Sequence, residues 1–320
     1  MILGLDIGGA NTKAASADGS LAESTYLPLW KNAALSSLLE SLSNRLRPEA
    51  VAVVMTGELA DCYSSRHSGV SDIKIKAERA FHCPVYFWGV GGFSSSLSEL
   101  AAANWSASAA LVGMESGSCL FADMGSTTTD LIPIKEQYTA ESTDFLRLAQ
   151  GELIYTGMIR TNLAALMQRV TVLGRRLPLS SELFAVTGDA YLSLGQIGPQ
   201  DYSGETPDGG PKTREGALRR LARTVCSDLS EIGEEGALQV AECARRRQAR
   251  LIRLGIERQM RRHDLKMAVV AGAGENLLAS ACEAACLQYS RLSDIYGSSI
   301  SQVFPAYAVA RLLQDHLRSN

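Results

Sequence analysis

The chain has 320 residues, 46% of them hydrophobic, which is enough for two domains of ordinary size with a substantial core. Charged residues make up 20%, the formal net charge is −3, and the chain lacks the basic tracts of a nucleic-acid-binding protein. No apolar run reaches membrane-spanning length and no secretory signal opens the chain, so we expect a cytoplasmic protein without a membrane partner.

The first third of the chain alternates strand and helix patterns. "MILGLDIG" (1–8) is typical of a buried strand, and "KAASADGSLAESTYLPL" (13–29) of its hairpin partner, with a turn at Asp18-Gly19. "NAALSSLLESLSNRL" (32–46) has the period of an amphipathic helix, which Pro48 ends. The other elements predicted here are a strand over 50–59, a helix over 72–82, a strand over 84–93 and a helix over 106–114.

The rest of the chain begins with "GSCLFADMGSTTTDLIPIK" (117–135), which predicts a strand, a glycine-hydroxyl turn and a second strand. We expect a helix from Gly151 to about Gln168 and a shorter one after Pro178. The stretch 195–215 is dense in Gly, Pro and Asp and too long for a passive connection, so it is either a functional loop or a disordered one. The last elements predicted are helices over 215–264, a strand, glycine turn and helix over 266–285, and a final helix from about 305.

Two conspicuous residue types are interpreted as structural. The arginines of 243–264 are expected on the solvated face of a long helix, in preference to a partner-binding patch, although a phosphate-bearing substrate would also suit them. The seven cysteines form no C-x-x-C pair, which indicates reduced thiols and no zinc site.

One strand–turn unit occurs twice. "LGLDIGGANTK" near the start has the same order of residues as "LFADMGSTTTD" more than a hundred residues later: an apolar strand, an Asp, a Gly two residues on, and small polar residues. The repetition predicts a duplicated α/β architecture, with one domain over 1–115 and a second over 116–320 that carries a helical insertion over 144–264. A third glycine turn, "VVAGAGENLL", lies near the C-terminus.

The chemistry of these turns favours a phosphate site. Glycine lets backbone N–H groups approach a phosphate oxygen without a Cβ in the way, and hydroxyls add donors. A carboxylate would repel phosphate directly, so Asp6 and Asp123 suit a Mg²⁺ ion held between them and the phosphate, while Lys13 adds a positive charge. Each turn alone is a weak signal, but three in this order predict a phosphate-binding cleft.

The motifs resemble a known family. The order of the three turns is similar to that of the acetate and sugar kinase, heat-shock chaperone and actin superfamily, which has two ribonuclease-H-like domains (the actin-like ATPase fold) around a cleft. "DIGGANTK", "VMTGELAD", "FADMGSTTTDLIPI", "TDFLRLAQGELIYTGMIRTNL", "ELFAVTGDAYLSLG" and "TPDGGPKTREGALRRLAR" together resemble its hydantoinase/oxoprolinase-related branch. Within that branch they are similar to the tetrahydromethanopterin-linked one-carbon-pathway proteins, which include enzymes of methanofuran biosynthesis.

This resemblance implies a transfer rather than a phosphorylation. In that family the diphosphate ester of an aminomethyl-furfuryl alcohol is attacked by the phenol of γ-glutamyltyramine, and a tyrosine-based phenol is the acceptor expected in bacterial relatives. Pyrophosphate leaves and no ATP is consumed. A furfuryl diphosphate and a phenolic acceptor are therefore the expected partners, with Mg²⁺ as the cofactor, and homodimer formation is left open.

The resemblance also implies roles for the turn residues. Asp6 and Asp123 would hold the metal. One phosphate would lie against Gly8, Gly9, Asn11, Thr12 and Lys13, and the other against Gly125, Ser126, Thr127 and Thr128. The third turn, with Gly272 and Gly274, would either hold another part of the substrate or be an ancestral remnant.

A base is needed as well, because a phenol ionises only near pH ~10 in water. The candidates are Glu58, Asp130, Asp144 and Glu152, and the sequence does not rank them; helix-start capping explains Asp144 and Glu152 equally well. Tyr155 and Arg160 are expected to contact substrate.

Two other functions stay open. An ATP-dependent kinase or hydantoinase-like ring opener would bind ATP and seat adenosine on Gly272 to Gly274, but such ring openers are much longer, and Ala10 replaces the threonine usual beside the double glycine. A nucleotide-gated scaffold would need large insertions, which the chain lacks room for.

Overall fold

Two mixed β-sheets form the frame of the protein, as seen in a computed structural model that describes residues 1–31 and 33–319. The first sheet has the order β3-β2-β1-β4-β5-β6, with β1 antiparallel to β2 and parallel to β4. Its strands are β1 (Ile2–Ile7), β2 (Asn11–Ser16), β3 (Ala22–Tyr26), β4 (Ala50–Met55), β5 (Val85–Gly89) and β6 (Gly92–Phe93).

The second sheet repeats the arrangement of the first. Its strands are β7 (Cys119–Met124), β8 (Thr129–Ile134), β9 (Leu153–Ile154), β12 (Met267–Ala271) and β13 (Gln288–Arg291). The order is β13-β12-β7-β8-β9. β7 is antiparallel to β8 and parallel to β12, just as β1 is antiparallel to β2 and parallel to β4, so β7 corresponds to β1. The predicted duplicated α/β architecture is confirmed.

Helices cover both faces of each sheet. α1 (Leu35–Leu46) and α2 (Arg66–Ala80) pack on the outer face of the first sheet. α3 (Asn104–Ser116) and α12 (Phe304–Ser319) lie between the two sheets and share one core with both. α12 crosses β1 at Gly4, where a Cβ would lie 1.9 Å from the carbonyl oxygen of Ala306, so only glycine fits there.

The insertion between β8 and β12 builds a separate core over the outer face of the second sheet. No helix among the described residues is long and apolar enough to cross a bilayer. The elements of the insertion are α4 (Asp144–Gln150), α5 (Leu163–Leu166), the hairpin β10 (Arg169–Val172) and β11 (Arg175–Pro178), α6 (Thr187–Ser193), α7 (Arg214–Arg223) and α8 (Leu229–His263). The helix after β12 is α9 (Glu275–Ala284).

The long loop 195–215 is structured. Tyr202 is 1% exposed, and its hydroxyl donates to the buried carboxylate of Asp189, which is also paired with the buried Arg220 at 2.8 Å. At the edge of the loop, Glu205 pairs with Lys31 of the first half at 2.6 Å. The loop therefore reaches across from the insertion to the N-terminal hairpin.

The predicted helix from Gly151 to Gln168 is wrong except for the short helix α5 near its end. Gly151 is instead the left-handed C-cap of α4, with φ at 72°, and the chain then pairs briefly with β8 as β9. Gly157 lies against the turn after β7, where a Cβ would be 2.5 Å from the backbone of Thr127. Because this segment supports a turn, tertiary contacts override its helical period.

Smaller differences concern element ends and short elements. α2 begins at Arg66, because Ser65 and Ser68 form a capping box that the prediction of 72–82 missed. The predicted strand 84–93 is a tight hairpin, and residue 32 of the predicted first helix lies outside the described residues. Elements with no prediction are β10, β11, β13, the 3-10 turn Leu29–Lys31, α10 (Leu292–Tyr296) and α11 (Ser298–Gln302).

Candidate active site

The two repeated turns close in the same way. The N–H of Gly8 donates to the carbonyl of Asn11 at 3.0 Å, and the N–H of Gly125 donates to the carbonyl of Thr128 at 3.0 Å. In the first hairpin Asp6 is paired with Lys13 across the strands, and in the second Asp123 is paired with Asp130. Lys13 and Asp130 therefore occupy equivalent positions in the two halves.

Both pairs lie on the inner faces of their sheets. Side chains alternate along a strand, so Asp6 shares a face with Gly4, which contacts α12. Asp123 shares a face with Phe121, which belongs to the core around α3 and α12. The carboxyl ends of β1 and β7 thus present Asp6 and Asp123 to the space between the sheets.

Backbone donors are available at each turn. Among the described residues, the N–H groups of Gly9 and Ala10 in the first turn, and of Ser126 and Thr127 in the second, meet no protein acceptor. A Cβ at Gly9 would have nothing within 4 Å, so the surface there is open. Free N–H groups of this kind suit an anion.

Asp6 is held between opposing influences. Its side chain is buried, 3% of the residue being exposed, and burial raises its pKa, while Lys13 lowers it from 3.4 Å away. Asn104, the first residue of α3, also lowers it. Oδ1 of Asp6 has no partner in the described residues, so a group from outside the chain is needed to satisfy it.

Asp123 belongs to the same charge cluster. Burial raises its pKa to about 7, with Lys13 lowering it and the carboxylates of Asp130 and Asp6 raising it further. Because residues from both halves act on Asp123, the two strand-end carboxylates face one cleft. The assignment of Asp6 and Asp123 to one metal ion stays a prediction.

The donor set fits Mg²⁺. Mg²⁺ prefers oxygen ligands and keeps several waters, so one or two carboxylates plus phosphate oxygens are enough. Asp6 and Asp123 supply carboxylate oxygens, including the unpartnered Oδ1 of Asp6. Within the part of the chain that the structure describes, no group of three or more His, Cys, Asp or Glu side chains could hold a metal by itself, so water or phosphate oxygens would complete the coordination.

The third glycine turn supports the second half of the site. A Cβ on Gly272, whose φ is +87°, would lie 2.2 Å from Oδ1 of Asp123. The N–H of Gly272 donates to the Ser301 hydroxyl at 3.3 Å, and that of Gly274 to the Met124 carbonyl at 2.9 Å. These two N–H groups are already used within the protein, and the turn fixes the position of Asp123.

Arg147 forms hydrogen bonds to two of the candidate bases, and the sequence analysis did not identify it. This arginine is 1% exposed, donates to Asp130 and to Asp144 (3.0 Å for the latter), and lies 4.6 Å from the Trp105 ring. Asp144 is the first residue of α4, after the N-cap Thr143, so it lies at a helix start as the alternative interpretation of this residue predicted. The only signal for Arg147 in the sequence is its i+3 spacing from Asp144.

The other candidate bases lie nearby. Glu152 follows the C-cap of α4, so it does not start a helix, and it accepts the N–H of Glu141 at 2.8 Å. Glu58 follows β4, is 1% exposed, and has a pKa raised to about 7, mainly by burial. Asp144 lies close enough to Glu58 to raise that pKa further.

A buried polar chain behind the second turn was also missed. The Tyr191 hydroxyl donates to Gln248 at 2.6 Å, and the Gln248 amide donates to the Gly157 carbonyl at 2.8 Å. Gly157 packs on Ser126 and Thr127. Gln248 lies in the arginine-rich part of α8, where the sequence pattern suggested a solvated face; the arginines do lie outward, but Gln248 is fully buried.

A tryptophan and an arginine meet across the cleft entrance. Arg160 lies 4.6 Å from the ring of Trp30. The N–H of Arg160 donates to the Ser126 carbonyl at 3.0 Å, and Leu29, beside Trp30, donates to the Gly9 carbonyl at 2.9 Å. Each partner is thus tied to one of the two turns.

Two predicted substrate contacts have different surroundings. Tyr155 is 69% exposed and makes no polar contact with this cluster among the described residues. Thr12 is opposite Ile7 in the hairpin, so its buried hydroxyl lies on the other face from Asp6. Asn11, Ser126, Thr127 and Thr128 remain at the turns, where a phosphate is expected.

Comparison with known proteins agrees with this architecture. Residues 49–316 match the hydantoinase/oxoprolinase family model (Hydantoinase_A). The chain is 39% identical to a Methanocaldococcus jannaschii protein, over 99% of this chain and 98% of that protein, and 34% identical to a Methanococcus vannielii protein, over 63% and 93%. Both are named (4-{4-[2-(gamma-L-glutamylamino)ethyl]phenoxymethyl}furan-2-yl)methanamine synthase.

The fold is also that of a solved sugar kinase. A ROK family glucokinase from Streptomyces griseus, in complex with glucose and AMPPNP, aligns with a TM-score of 0.51 at 13% identity, covering 97% of this chain and 98% of the kinase. At that identity the similarity concerns the fold alone. It confirms the predicted pair of ribonuclease-H-like domains around a cleft.

Proposed function

The chain belongs to the hydantoinase/oxoprolinase family, and from that premise we propose that it is a transferase of methanofuran-type cofactor synthesis that joins a furfuryl diphosphate to a phenol and releases pyrophosphate. Its two curated relatives are synthases, and this chain is likewise an enzyme. The observation that carries the proposal is the pair of equivalent glycine turns, whose strand-end carboxylates, Asp6 and Asp123, both interact with Lys13.

The name of the relatives describes the bond to be made. Their product contains a phenoxymethyl group on a furan, which is an aryl ether. To form it, the phenol oxygen bonds to the furfuryl methylene carbon, the bond from that carbon to the diphosphate oxygen breaks, and the phenolic proton leaves. The diphosphate departs with the electron pair, so the enzyme must stabilise negative charge on it.

The cleft supplies that stabilisation from both halves. The free N–H groups of Gly9 and Ala10 would bind one phosphoryl group, and those of Ser126 and Thr127 the other. Lys13 adds a positive charge 3.4 Å from Asp6. Asp6 and Asp123 would hold Mg²⁺, which when bound neutralises the departing diphosphate.

We assign the acceptor to a pocket on the first half of the protein. A pocket of about 490 Å³, a size typical of small-molecule sites, opens on the loop that follows Glu58. It combines the apolar Leu29 with Tyr63, whose hydroxyl donates to Asp72, and with Lys76, which pairs with Asp72 at 2.6 Å. This mixture suits an aromatic compound with an amino-acid-like polar tail.

The third turn favours a transferase over a kinase. In the kinase reading, Gly272 to Gly274 would seat adenosine. Here the N–H groups of Gly272 and Gly274 bind Ser301 and Met124, and the turn packs on Asp123. Its role in supporting Asp123 needs no nucleotide.

The test is direct. The protein would be incubated with Mg²⁺, an aminomethyl-furfuryl diphosphate and tyramine- or tyrosine-derived phenols, and mass spectrometry should detect the ether with one pyrophosphate released per ether. Asp123→Asn is expected to reduce the rate more than tenfold. A parallel incubation with ATP in place of the diphosphate should give no ADP; steady ADP formation without ether would contradict the proposal.

A further inference from the structure

Glu58 accepts backbone hydrogen bonds, as Glu152 does, but it differs from the other candidate bases in having one buried oxygen without a partner among the described residues. Asp130 and Asp144 are both ion-paired with Arg147, and Glu152 accepts a backbone N–H. Oε2 of Glu58 is buried and has no partner among the described residues. A buried carboxylate oxygen without a donor is costly, so this atom indicates a proton or donor supplied by a bound molecule.

The backbone places Glu58 at the end of β1. The N–H groups of Thr56 and Gly57 both donate to the carbonyl of Ile7, each at 3.0 Å, which folds the chain after β4 over the first turn. A Cβ on Gly57 would lie 3.1 Å from the backbone of Gly8. The backbone just before Glu58 therefore lies against the start of the first glycine turn.

The start of α3 lies between Glu58 and Asp6. The backbone of Ala102 lowers the pKa of Glu58 by hydrogen bonding, and Asn104 does the same for Asp6 by its side chain. Asn104 is the first residue of this 13-residue helix, and Ala102 immediately precedes its N-cap. The positive end of the helix dipole favours anions here, including a phenolate.

Charged groups from two other elements face Glu58. Asp144 of α4, from the opposite half of the protein, raises its pKa, and Arg66 at the start of α2 lowers it. Burial is the largest influence, and the resulting pKa of about 7 leaves Glu58 able to hold or release a proton near neutral pH. The side chain of Asp144 is 39% exposed, whereas Glu58 is buried.

We propose, on the basis of the proposed function, that Glu58 is the general base that takes the proton of the acceptor phenol. The proton moves from the phenol oxygen to Oε2 of Glu58. The oxygen lone pair forms the bond to the furfuryl methylene, and the diphosphate leaves with the pair from the broken C–O bond.

The experiment compares acceptors of different acidity. Ether formation would be measured against pH for the unaltered protein, Glu58→Gln, Asp144→Asn and the exposed helix control Glu78→Gln. Each would be assayed with the natural type of phenol and with a ring-fluorinated analogue that is already ionised at the assay pH. Glu58→Gln should lose about 100-fold or more with the ordinary phenol and recover most of that loss with the ionised one.

The other two variants separate an effect on the pKa of Glu58 from a general effect on the structure. Asp144→Asn should move the acidic limb of the pH profile to lower pH, because the negative charge that raises the Glu58 pKa is gone, while Glu78→Gln should match the unaltered protein. Unchanged turnover in Glu58→Gln, or an equal loss with both phenols, would overturn the assignment of the base alone. Absence of ether from the unaltered protein with every acceptor would overturn the proposed function, and this inference with it.

Discussion

Replacing Asp123 by asparagine should stabilise the metal-free protein at alkaline pH while reducing its activity more than tenfold. The carboxyl pKa rises from its ordinary value of 3.8 to about 7 in the fold, so the folded state holds a proton that the unfolded chain releases. The stability that this proton supplies is complete below about pH 4 and is lost as the pH rises to about 7. Above pH 7 the native protein carries a charge on Asp123 that Lys13 compensates only in part.

The size of the effect follows from that shift. A difference of about three pKa units corresponds to about 4 kcal/mol, and because Asp123 is partly open to the cleft we expect about 2 kcal/mol after solvent screening. Asp123→Asn should therefore have a higher Tm than the unaltered protein at pH 8, and the advantage should disappear near pH 4. The exposed Asp61→Asn is the matched control and should show no such dependence.

Thermal unfolding with and without Mg²⁺ completes the assay. Mg²⁺ requires the ionised carboxylate, so it should raise the Tm of the unaltered protein more at pH 8 than at pH 5.5, and it should do little for Asp123→Asn. A variant less stable than the unaltered protein at pH 8, or equally stabilised by Mg²⁺, would refute the reasoning.

Three further changes test other parts of the structure. Gly272→Ala places a Cβ 2.2 Å from Asp123 at a φ of +87°, so it should lose about 1–3 kcal/mol in denaturant unfolding and more than tenfold in turnover; wild-type turnover would contradict the support role. Arg220→Met leaves the buried Asp189 unpaired and should cost about 3–5 kcal/mol in the same unfolding assay, whereas an unchanged midpoint would show that the pair is dispensable. Because the other two tryptophans are buried, Mg²⁺ and pyrophosphate should change the emission of Trp30 at the entrance, and the change should vanish in Trp30→Phe; persistence there would place the ligand elsewhere.

The parts of the site that depend on local backbone geometry were predictable from the sequence. The pattern of an apolar strand followed by Asp-x-Gly predicts both β1 and β7, because the strand period and the glycine turn are local properties of the sequence. Their repetition then led to the correct duplicated fold. The placement of Asp6 and Asp123 on facing surfaces follows from this repetition.

The parts that depend on distant contacts were not predictable. Arg147 matters because it reaches Asp130, 17 residues away in the chain, and its own helix is too short to show a period. The chain after Gly151 has a helical pattern but folds against the turn at Ser126 and Thr127. Gln248 looks like any polar residue of α8 until its amide is seen to hold the carbonyl of Gly157.

Binding of Mn²⁺, followed by electron paramagnetic resonance in the presence of pyrophosphate, examines whether Asp6 and Asp123 jointly hold one divalent ion. The unaltered protein should bind a single Mn²⁺ per chain, with pyrophosphate tightening the binding, and Asp6→Asn and Asp123→Asn should each abolish it. Retention of normal Mn²⁺ and pyrophosphate binding by either variant would contradict a shared ion at the two strand ends.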